Sequence, residues 1–328
     1  MDQSASSPLL LRTLAFLAIA GVSSAACAAD LDGSADVQSQ DATKGTTVSV
    51  PRAAAGKRIC SWNIRRLGHG FDGKDKDLDL VQKVISANCD LVAVQEVMQV
   101  TANGVTTVPG YDALVKEMGT TYWGSVRTED ARPAGTSSNS ERYAWFWRKS
   151  AVSPCEGFTD ARYIDDPENA FLREPAYACF KLKAHPREVV LATYHALYGS
   201  EPERKREVAL LDDDLDGDGK ADDIFRTFRA SRPGADVIMV GDFNLTPNQL
   251  KTALPTYGDL VAGTGSTLST TGALSPNQYD HVLVMPDEPV ASKVAPAVTL
   301  DVRSIATSER AFFQTVSDHL PIQLVLAD

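Results

Sequence analysis

The alternation of short apolar runs with amphipathic stretches from residue 58 onward is the feature that most restricts how this chain can fold. Apolar runs rich in β-branched and aromatic residues predict buried strands, and apolar residues spaced by three and four predict helices. The predicted strands cover residues 59–64, 91–94, 142–147, 176–182, 188–193, 236–240, 279–285 and 320–326, and the clearest helix covers residues 77–87. This pattern is typical of layered α/β proteins. Because few helices separate many strands, two sheets packed face to face with helices outside fit better than one doubly wound sheet.

The N-terminal residues are typical of an export signal. Arg12 precedes an apolar run over residues 14–22, and small residues surround Ala28. We therefore expect a cleaved signal peptide over residues 1–28, a polar disordered leader over residues 29–57 and one domain over residues 58–328. Retention of a lipidated Cys27 is the alternative. The apolar run is too short to span a bilayer as a mature helix, so we expect a secreted or periplasmic protein without stable membrane insertion. We also expect a monomer.

The cysteines are relevant to the predicted export, because disulfides form in oxidising compartments outside the cytosol. Cys60, Cys89, Cys155 and Cys179 follow the predicted cleavage site, and an even count in an exported chain favours disulfide pairing. Cys155 and Cys179 lie on strands expected to be neighbours, so we predict that they pair. Cys60 and Cys89 each lie at the entry to an apolar strand, and we interpret them as buried thiols.

Polar side chains of unusual chemical type lie at the ends of several predicted strands. Those near a strand's carboxyl end are Asn63, Glu96, His195, Asp242 and Asn244, and those that open a later strand are Asp280, Asp318 and His319. One such terminus carries little information. A whole set, all expected at the same edge of the sheets, predicts a functional site.

Asp242 and Asn244 follow the buried run 236–240, and Gly241 allows the backbone to turn sharply as it leaves the sheet. Two residues apart on an extended chain, they would both face the crevice beyond the strand ends, where open α/β sheets bind ligands. There they would orient a nucleophilic water, a phosphate or a metal. The alternative interpretation is a turn, rich in Asp and Asn, that closes a strand.

Glu96 and Asn63 carry the oxygen ligands that suit Mg²⁺, an ion that keeps several waters and meets a substrate phosphate directly. For Glu96 the alternative is a cap on the following loop. His195 and His319 supply the base and the acid that phosphodiester cleavage needs, provided that a carboxylate fixes the tautomer of each ring. Asp318 and His319 are neighbours on a strand and face opposite ways, so another acid must support His319.

An acidic segment interrupts an otherwise helical stretch. Its Asp214, Asp216, Asp218 and Asp222 match the first, third, fifth and ninth positions of a calcium loop, whereas the twelfth is Phe225 rather than Glu. We expect a structural Ca²⁺ site there. The alternative is a solvated acidic loop.

Ordered blocks along the chain resemble the endonuclease/exonuclease/phosphatase superfamily, and within it deoxyribonuclease I. The similarity covers about residues 58–326 and rests on Trp62-Asn63-Ile64-Arg65, Val94-Gln95-Glu96-Val97, Glu141-Arg142-Tyr143, Arg173-Glu174-Pro175-Ala176, Gly241-Asp242-Phe243-Asn244, Tyr279-Asp280 and Ser317-Asp318-His319. The blocks that begin at Glu141 and Arg173 are similar to deoxyribonuclease I in particular. The resemblance implies an α/β fold with four layers, a sandwich of two packed mixed β-sheets flanked by helices.

The resemblance also implies roles for single residues. It makes His195 and His319 the general acid/base pair, with Glu141 supporting His195 and Asp280 supporting His319. The implied contacts of a catalytic Mg²⁺ or Mn²⁺ are Glu96, Asn63, Asp318 and Asp242. The implied contacts of the substrate phosphate are Arg65, Arg173 and Asn244, and Asp242 and Asn244 could also hold the attacking water. A guanidinium fork suits two phosphate oxygens.

The chain departs from the animal enzymes of this family at two positions. Met98 stands where they carry an arginine that reads the minor groove, and Asn139 stands where they stack a tyrosine against the sugar. These differences affect the mode of duplex binding more than the chemistry. The remaining contacts to DNA would be mostly to phosphates, which position the substrate without specifying sequence.

The sequence thus predicts a secreted, metal-dependent endonuclease that hydrolyses DNA with little sequence preference. The net charge of −11 argues against nonspecific adhesion to nucleic acid, but a site neutralised by divalent cations remains compatible with it. One alternative is a phosphomonoesterase or phospholipid phosphodiesterase with the same core. Another is a noncatalytic calcium-dependent binding module that keeps the fold.

Overall fold

The computed structural model describes residues 56–327, with residues 70, 72, 134–139, 167, 213–223 and 262–264 excepted. A strand begins at the first of these residues and another ends at the last. The predicted signal peptide, Asn139 and the candidate calcium ligands Asp214, Asp216, Asp218 and Asp222 lie outside the described residues. So does the predicted leader, except that its last two residues belong to the first strand. Within the described residues, no helix is both long and apolar enough to cross a membrane.

The regular elements alternate along the chain as the sequence predicts. The strands are β1 (Gly56–Leu67), β2 (Leu91–Met98), β3 (Val100–Ala102), β4 (Val105–Thr107), β5 (Trp123–Arg127), β6 (Glu141–Arg148), β7 (Val152–Pro154), β8 (Arg162–Tyr163), β9 (Ala176–Leu182), β10 (Glu188–His195), β11 (Asp236–Asp242), β12 (Gly258–Asp259), β13 (Asp280–Val284), β14 (Val298–Thr299) and β15 (Ile322–Ala327). The α-helices are α1 (Leu78–Asn88), α2 (Pro109–Met118), α3 (Glu201–Ala209), α4 (Ile224–Ser231), α5 (Pro247–Ala253) and α6 (Glu309–Thr315). Short 3-10 helices cover Leu210–Asp212, Pro289–Ser292 and Arg303–Ile305.

Two mixed sheets form the centre of the described structure. The first sheet has the strand order β14-β15-β1-β2-β6-β5, and the second has the order β12-β13-β11-β10-β9-β7, with β8 paired to β9. Each sheet contains one central parallel pair, β1 with β2 and β10 with β11, and antiparallel neighbours on either side. This arrangement repeats the same local topology in both sheets.

Three apolar cores separate four layers. The middle core lies between the sheets and joins Ile59 and Trp145 of the first sheet to Leu191 and Ile238 of the second. The outer core of the first sheet includes Val81, Val84 and Ile85, which form the buried face of α1. The outer core of the second sheet includes Ile224, Phe225 and Phe228 of α4. The predicted sandwich of two packed sheets flanked by helices is therefore confirmed.

The polar strand ends meet at one edge of this sandwich. The parallel strands β10 and β11 end in register, with His195 opposite Asp242. Antiparallel neighbours begin where the parallel strands end, because Glu141 of β6 lies opposite Met98, and Asp280 of β13 lies opposite Asp242. The topology of each sheet therefore collects residues from distant parts of the sequence at a single edge.

Each of two disulfides joins a strand residue to a residue that borders a neighbouring strand. Cys155 and Cys179 are bonded, as predicted, with their Cα atoms 5.4 Å apart. The interpretation of Cys60 and Cys89 as free thiols was wrong, because they are also bonded, with a Cα separation of 5.8 Å. The parallel register of β1 with β2 explains this pair: it places the start of β1 beside the residues that lead into β2.

Candidate active site

Two histidine–carboxylate pairs lie at the polar edge. His195 ends β10, and its Nδ1 is 2.6 Å from Oε1 of Glu141, which begins β6. His319 shortly precedes β15, and its Nδ1 is 2.8 Å from Oδ2 of Asp280, which begins β13. Each pair joins one sheet to the other. Such a contact fixes the orientation of the ring and leaves Nε2 as the atom that faces a third group.

Both histidines direct Nε2 toward Asp242. Oδ2 of Asp242 is 3.7 Å from Nε2 of His195 and 3.5 Å from Nε2 of His319. The same oxygen accepts a hydrogen bond from Nδ2 of Asn63 at 3.1 Å. Asp242 is almost fully buried. The four residues and their two supporting carboxylates thus form one charged centre, as the sequence predicted for their positions.

The charges in this centre shift one another's pKa values. Burial alone would lower the pKa of His319, but the carboxylates of Asp280 and Asp242 outweigh it and raise the pKa well above its ordinary value. At His195, burial and the cation of Arg173 act to lower the pKa, but the carboxylates of Glu141 and Asp242 outweigh them and raise it. For Asp242 burial acts upward, yet the two histidines lower its pKa. The centre therefore favours imidazolium rings around an ionised Asp242.

The backbone after β11 differs from the extended chain expected from the sequence. Asn244 has a φ of 51° and is therefore left-handed, a conformation that Asn tolerates better than most residues. Its backbone N–H donates to Oδ1 of Asp242 at 2.9 Å, and its Nδ2 donates to the carbonyl of Ala196 at 3.0 Å. Gly241 is required here because a Cβ would lie 1.9 Å from the carbonyl oxygen of Tyr194. The structure therefore shows the turn that was the alternative interpretation of this segment, and a role of Asp242 and Asn244 toward water, phosphate or metal stays a prediction.

Glu96 and Asn63 form the neighbouring part of the site. Nδ2 of Asn63 donates to Oε1 of Glu96 at 2.9 Å, and the backbone N–H of Arg66 donates to Oε2 at 2.8 Å. Glu96 has a φ of 58° and lies where the β2 register shifts on both sides. The irregularity turns its carboxylate toward β1. Glu96 therefore caps the backbone of a neighbouring strand end rather than the loop that follows it.

Asp318 forms an ion pair with Arg65, which follows Asn63 by two residues on β1. Arg65 Nε lies 3.2 Å from Oδ2 of Asp318, and its guanidinium carbon lies 3.3 Å from the ring centroid of Phe71 and 4.5 Å from that of Phe313. Nη1 of Arg65 and Oδ1 of Asp318 are buried without a hydrogen-bond partner. Unpaired buried polar atoms are costly unless a ligand or water satisfies them. One is a cationic donor suited to a phosphate oxygen, and the other is a carboxylate oxygen suited to a cation.

The three carboxylates that the resemblance implies as metal contacts are chemically suited to a hard divalent cation. Glu96, Asp242 and Asp318 supply carboxylate oxygens, which Mg²⁺ and Mn²⁺ prefer to nitrogen or sulfur. Two of these carboxylates already meet at the amide of Asn63, and the third has an oxygen without a partner. The chemistry of these donors suits the metal that the resemblance implies, and their role as its contacts stays a prediction.

Arg173 lies beneath His195. Its Nε donates to the His195 carbonyl at 3.0 Å, and its Nη2 donates to the Ala196 carbonyl at 2.8 Å. Nε also lies 3.6 Å from Oε1 of Glu141. These contacts hold the end of β10 in place, so a contact between Arg173 and a substrate phosphate stays a prediction.

Sequence reasoning missed Lys76. Its Nζ donates to the carbonyl of Val316 at 2.6 Å. Burial lowers the pKa of Lys76 to about 8, and the carboxylates of Asp318 and Glu96 act against that shift. Lys76 belongs to a polar segment that also carries Asp72, Lys74, Asp75 and Asp77, so only the tertiary contacts separate it from an ordinary surface lysine.

Comparison with known proteins gives the same fold. The model of the endonuclease/exonuclease/phosphatase family matches residues 60–319, and no curated protein matches the chain. Among solved structures, TDP2 from D. rerio with a single-stranded DNA product has a TM-score of 0.55 at 16% identity, covering 84% of this chain and 100% of that one. A mannosyl-6-phosphatase from Bacteroides thetaiotaomicron has a TM-score of 0.53 at 12% identity, covering 83% and 100%. The human Nocturnin catalytic domain with bound sulfate has a TM-score of 0.51 at 15% identity, covering 84% and 95%.

At such identities these structures show the fold alone. The family match is more informative, because it extends over most of the chain and includes the described centre from Asn63 to His319. Its proteins hydrolyse phosphoesters, the chemistry that paired histidines beside carboxylates suit. The chain therefore belongs to the endonuclease/exonuclease/phosphatase family.

Proposed function

We propose that this protein is a secreted, divalent-metal-dependent endonuclease that hydrolyses DNA phosphodiester bonds with low sequence preference. The observation that carries the proposal is the pair of carboxylate-held histidines whose Nε2 atoms face one oxygen of Asp242. Hydrolysis of a diester requires one proton to leave water and another to reach the leaving oxygen. Two histidines across a narrow site meet both requirements.

The residues divide this work between them. One histidine, in its neutral form, accepts the proton of the attacking water at Nε2, and the other, as an imidazolium, donates its Nε2 proton to the leaving oxygen. Glu141 and Asp280 hold the rings and stabilise the imidazolium form. Asp242 and Asn244 orient the water and the phosphate between the rings. Nη1 of Arg65, which is buried and unpaired, donates to a phosphate oxygen.

Glu96, Asn63, Asp318 and Asp242 would hold Mg²⁺ or Mn²⁺, which would offset the negative charge that develops at phosphorus. The chain has a formal net charge of −11, so local cations rather than a general basic field would bring DNA to the site. DNA would be bound through its phosphate backbone by a monomer.

Export of the protein is part of the proposal. The signal-like residues 1–28 carry it, and two disulfides support it because disulfides persist in oxidising compartments. Structural Ca²⁺ at Asp214, Asp216, Asp218 and Asp222 also stays a proposal, and extracellular calcium would fill even a weak site.

A substrate panel tests this function. The mature protein is incubated with supercoiled plasmid, single-stranded DNA, RNA, sugar phosphates and sphingomyelin, with Mg²⁺, Mn²⁺ or Ca²⁺, and with a chelator. We expect metal-dependent nicking of the plasmid that the chelator abolishes. A double variant, His195→Ala with His319→Ala, serves as the control for contaminating nucleases.

The rival functions give other results in the same panel. Release of inorganic phosphate from sugar phosphates without plasmid nicking would identify a phosphomonoesterase, and the fold shared with a mannosyl-6-phosphatase makes that the first alternative. Cleavage of sphingomyelin alone would identify a phospholipid phosphodiesterase. Inactivity on every phosphoester with each metal would favour a noncatalytic calcium-dependent binding module.

A further inference from the structure

An exposed tyrosine stands beside the two-histidine centre. Tyr198 follows His195 by three residues, in the connection between β10 and α3, and 62% of its surface is exposed. By contrast, Tyr194 on the same strand is fully buried. Single exposed aromatic rings are common on protein surfaces, so the position of Tyr198 next to His195 is informative and its exposure alone is not. Its place on the rim of the site suggests a contact with the substrate.

A second tyrosine and an arginine occupy the same part of the rim. Tyr279 directly precedes Asp280, and the guanidinium carbon of Arg204 in α3 lies 6.0 Å from the centroid of its ring. Nε of Arg204 is buried without a hydrogen-bond partner. Burial raises the pKa of Tyr279; Arg204 opposes this shift, whereas Asp242 and Tyr198 add to it. The carbonyl of Tyr279 accepts a hydrogen bond from the backbone N–H of Phe243 at 2.9 Å, which places Tyr279 beside the segment that holds Asp242 and Asn244.

We propose that Tyr198, Tyr279 and Arg204 form a subsite for an unpaired nucleobase next to the scissile phosphate. This inference rests on the proposed function and specifies its substrate as single-stranded or locally opened nucleic acid. Aromatic rings and guanidinium planes stack on any base. Such a subsite raises affinity without reading sequence. A base that is stacked and paired within a duplex is not available to it.

The test uses short single-stranded DNA with one cleavable phosphodiester, all other linkages being methylphosphonates. In one substrate the nucleotides that flank the cleavable phosphodiester carry bases, and in the other these nucleotides are abasic. We expect wild type to cleave the base-bearing substrate about 5- to 150-fold more efficiently in kcat/KM, the range that corresponds to base–aromatic stacking. Tyr198→Ala should lose most of this preference by slowing only the base-bearing reaction, and Tyr198→Phe should retain it.

Tyr122→Ala is the matched control. Tyr122 is 72% exposed, and its carbonyl accepts a hydrogen bond from Lys149, which follows the end of β6 opposite to Glu141. It lies away from the site and should leave the preference unchanged.

The outcomes separate this inference from the function on which it rests. Equal cleavage of both substrates by wild type would overturn the subsite and leave the endonuclease intact. An equal loss on both substrates in Tyr198→Ala would also overturn it, because that pattern indicates a structural role. Failure of wild type to cleave any DNA would overturn the endonuclease itself.

Discussion

The two ends of β11 place the same residue type in two different environments. Asp236 begins the strand and is fully buried; its Oδ2 lies 2.8 Å from Nε2 of His185, and its Oδ1 lies 2.7 Å from Nε of Arg187. Asp242 ends the strand, and its histidines stand 3.5 and 3.7 Å away. Both ends therefore combine a buried aspartate with histidine.

The difference lies in what each aspartate leaves available. Asp236 is neutralised by a guanidinium that keeps its charge, and each of its oxygens has a close nitrogen neighbour, from Arg187 or from His185, so the cluster is closed. At Asp242 the histidines are bound more tightly by other carboxylates than by Asp242 itself. Their Nε2 protons remain available to a third group. The same side chains are structural at one end of the strand and suited to chemistry at the other.

Removing a histidine should produce the largest difference in activity between the two ends of β11. We expect His195→Ala or His319→Ala to slow phosphodiester hydrolysis on the order of 10²-fold or more, because each removes a proton-transfer group. His185→Ala should change kcat by less than about 3-fold while lowering the thermal unfolding temperature. Initial rates and thermal unfolding of the three variants check this. Normal nicking by a variant lacking both His195 and His319 would contradict the mechanism.

Replacing each aspartate by asparagine should show that Asp242 controls the histidine pKa values, whereas Asp236 contributes to the free energy of unfolding. The Asp242 carboxylate raises the pKa values of both His195 and His319, so Asp242→Asn should lower them. Both limbs of the pH–rate profile should then move to lower pH, in addition to a fall in kcat. Asp236→Asn should leave the profile in place and lower the free energy of unfolding by about 3–5 kcal/mol, the cost of breaking a buried ion pair.

A pH–rate series and a denaturant titration on both variants test this contrast. An identical shift of the profile in Asp236→Asn would show that the two ends are electrostatically coupled along the strand. An unchanged profile in Asp242→Asn would remove Asp242 from the control of the histidines.

The smallest effect concerns one cation, Lys76, near the candidate metal contacts. Lys76 is a half-buried positive charge near Glu96 and Asp318, so it should oppose a divalent ion there. We expect Lys76→Met to tighten Mg²⁺ binding about 5-fold, on the order of 1 kcal/mol for charges separated by more than a direct contact. Isothermal titration measures the dissociation constant, with Lys83→Met on the exposed face of α1 as the control. Weaker binding would instead show that Lys76 holds the carboxylates in place.

The sequence allowed the sandwich and most of the centre to be predicted, because each strand carries its own signal. An apolar run followed by Asn63, Glu96, His195 or Asp242 can be interpreted locally, and the topology then brings these ends together. The left-handed turn at Asn244 could not be inferred in this way, because it depends on a hydrogen bond to Ala196.

Features that depend on how two segments meet were also beyond prediction. The bond between Cys60 and Cys89 follows from the parallel register of β1 and β2, which no local pattern reveals. Lys76 belongs to the site through contacts with segments far away in sequence. The short strands such as β8 and β12, of two residues each, carry too few residues for periodicity to show.

The crossing of both histidine pairs between the sheets has a consequence for folding. His195 and Asp280 come from the second sheet, whereas Glu141 and the segment holding His319 come from the first. Neither sheet alone contains a complete pair. Activity is therefore a property of the docked interface, and its return during refolding should time the moment at which the two halves of the sandwich close on each other.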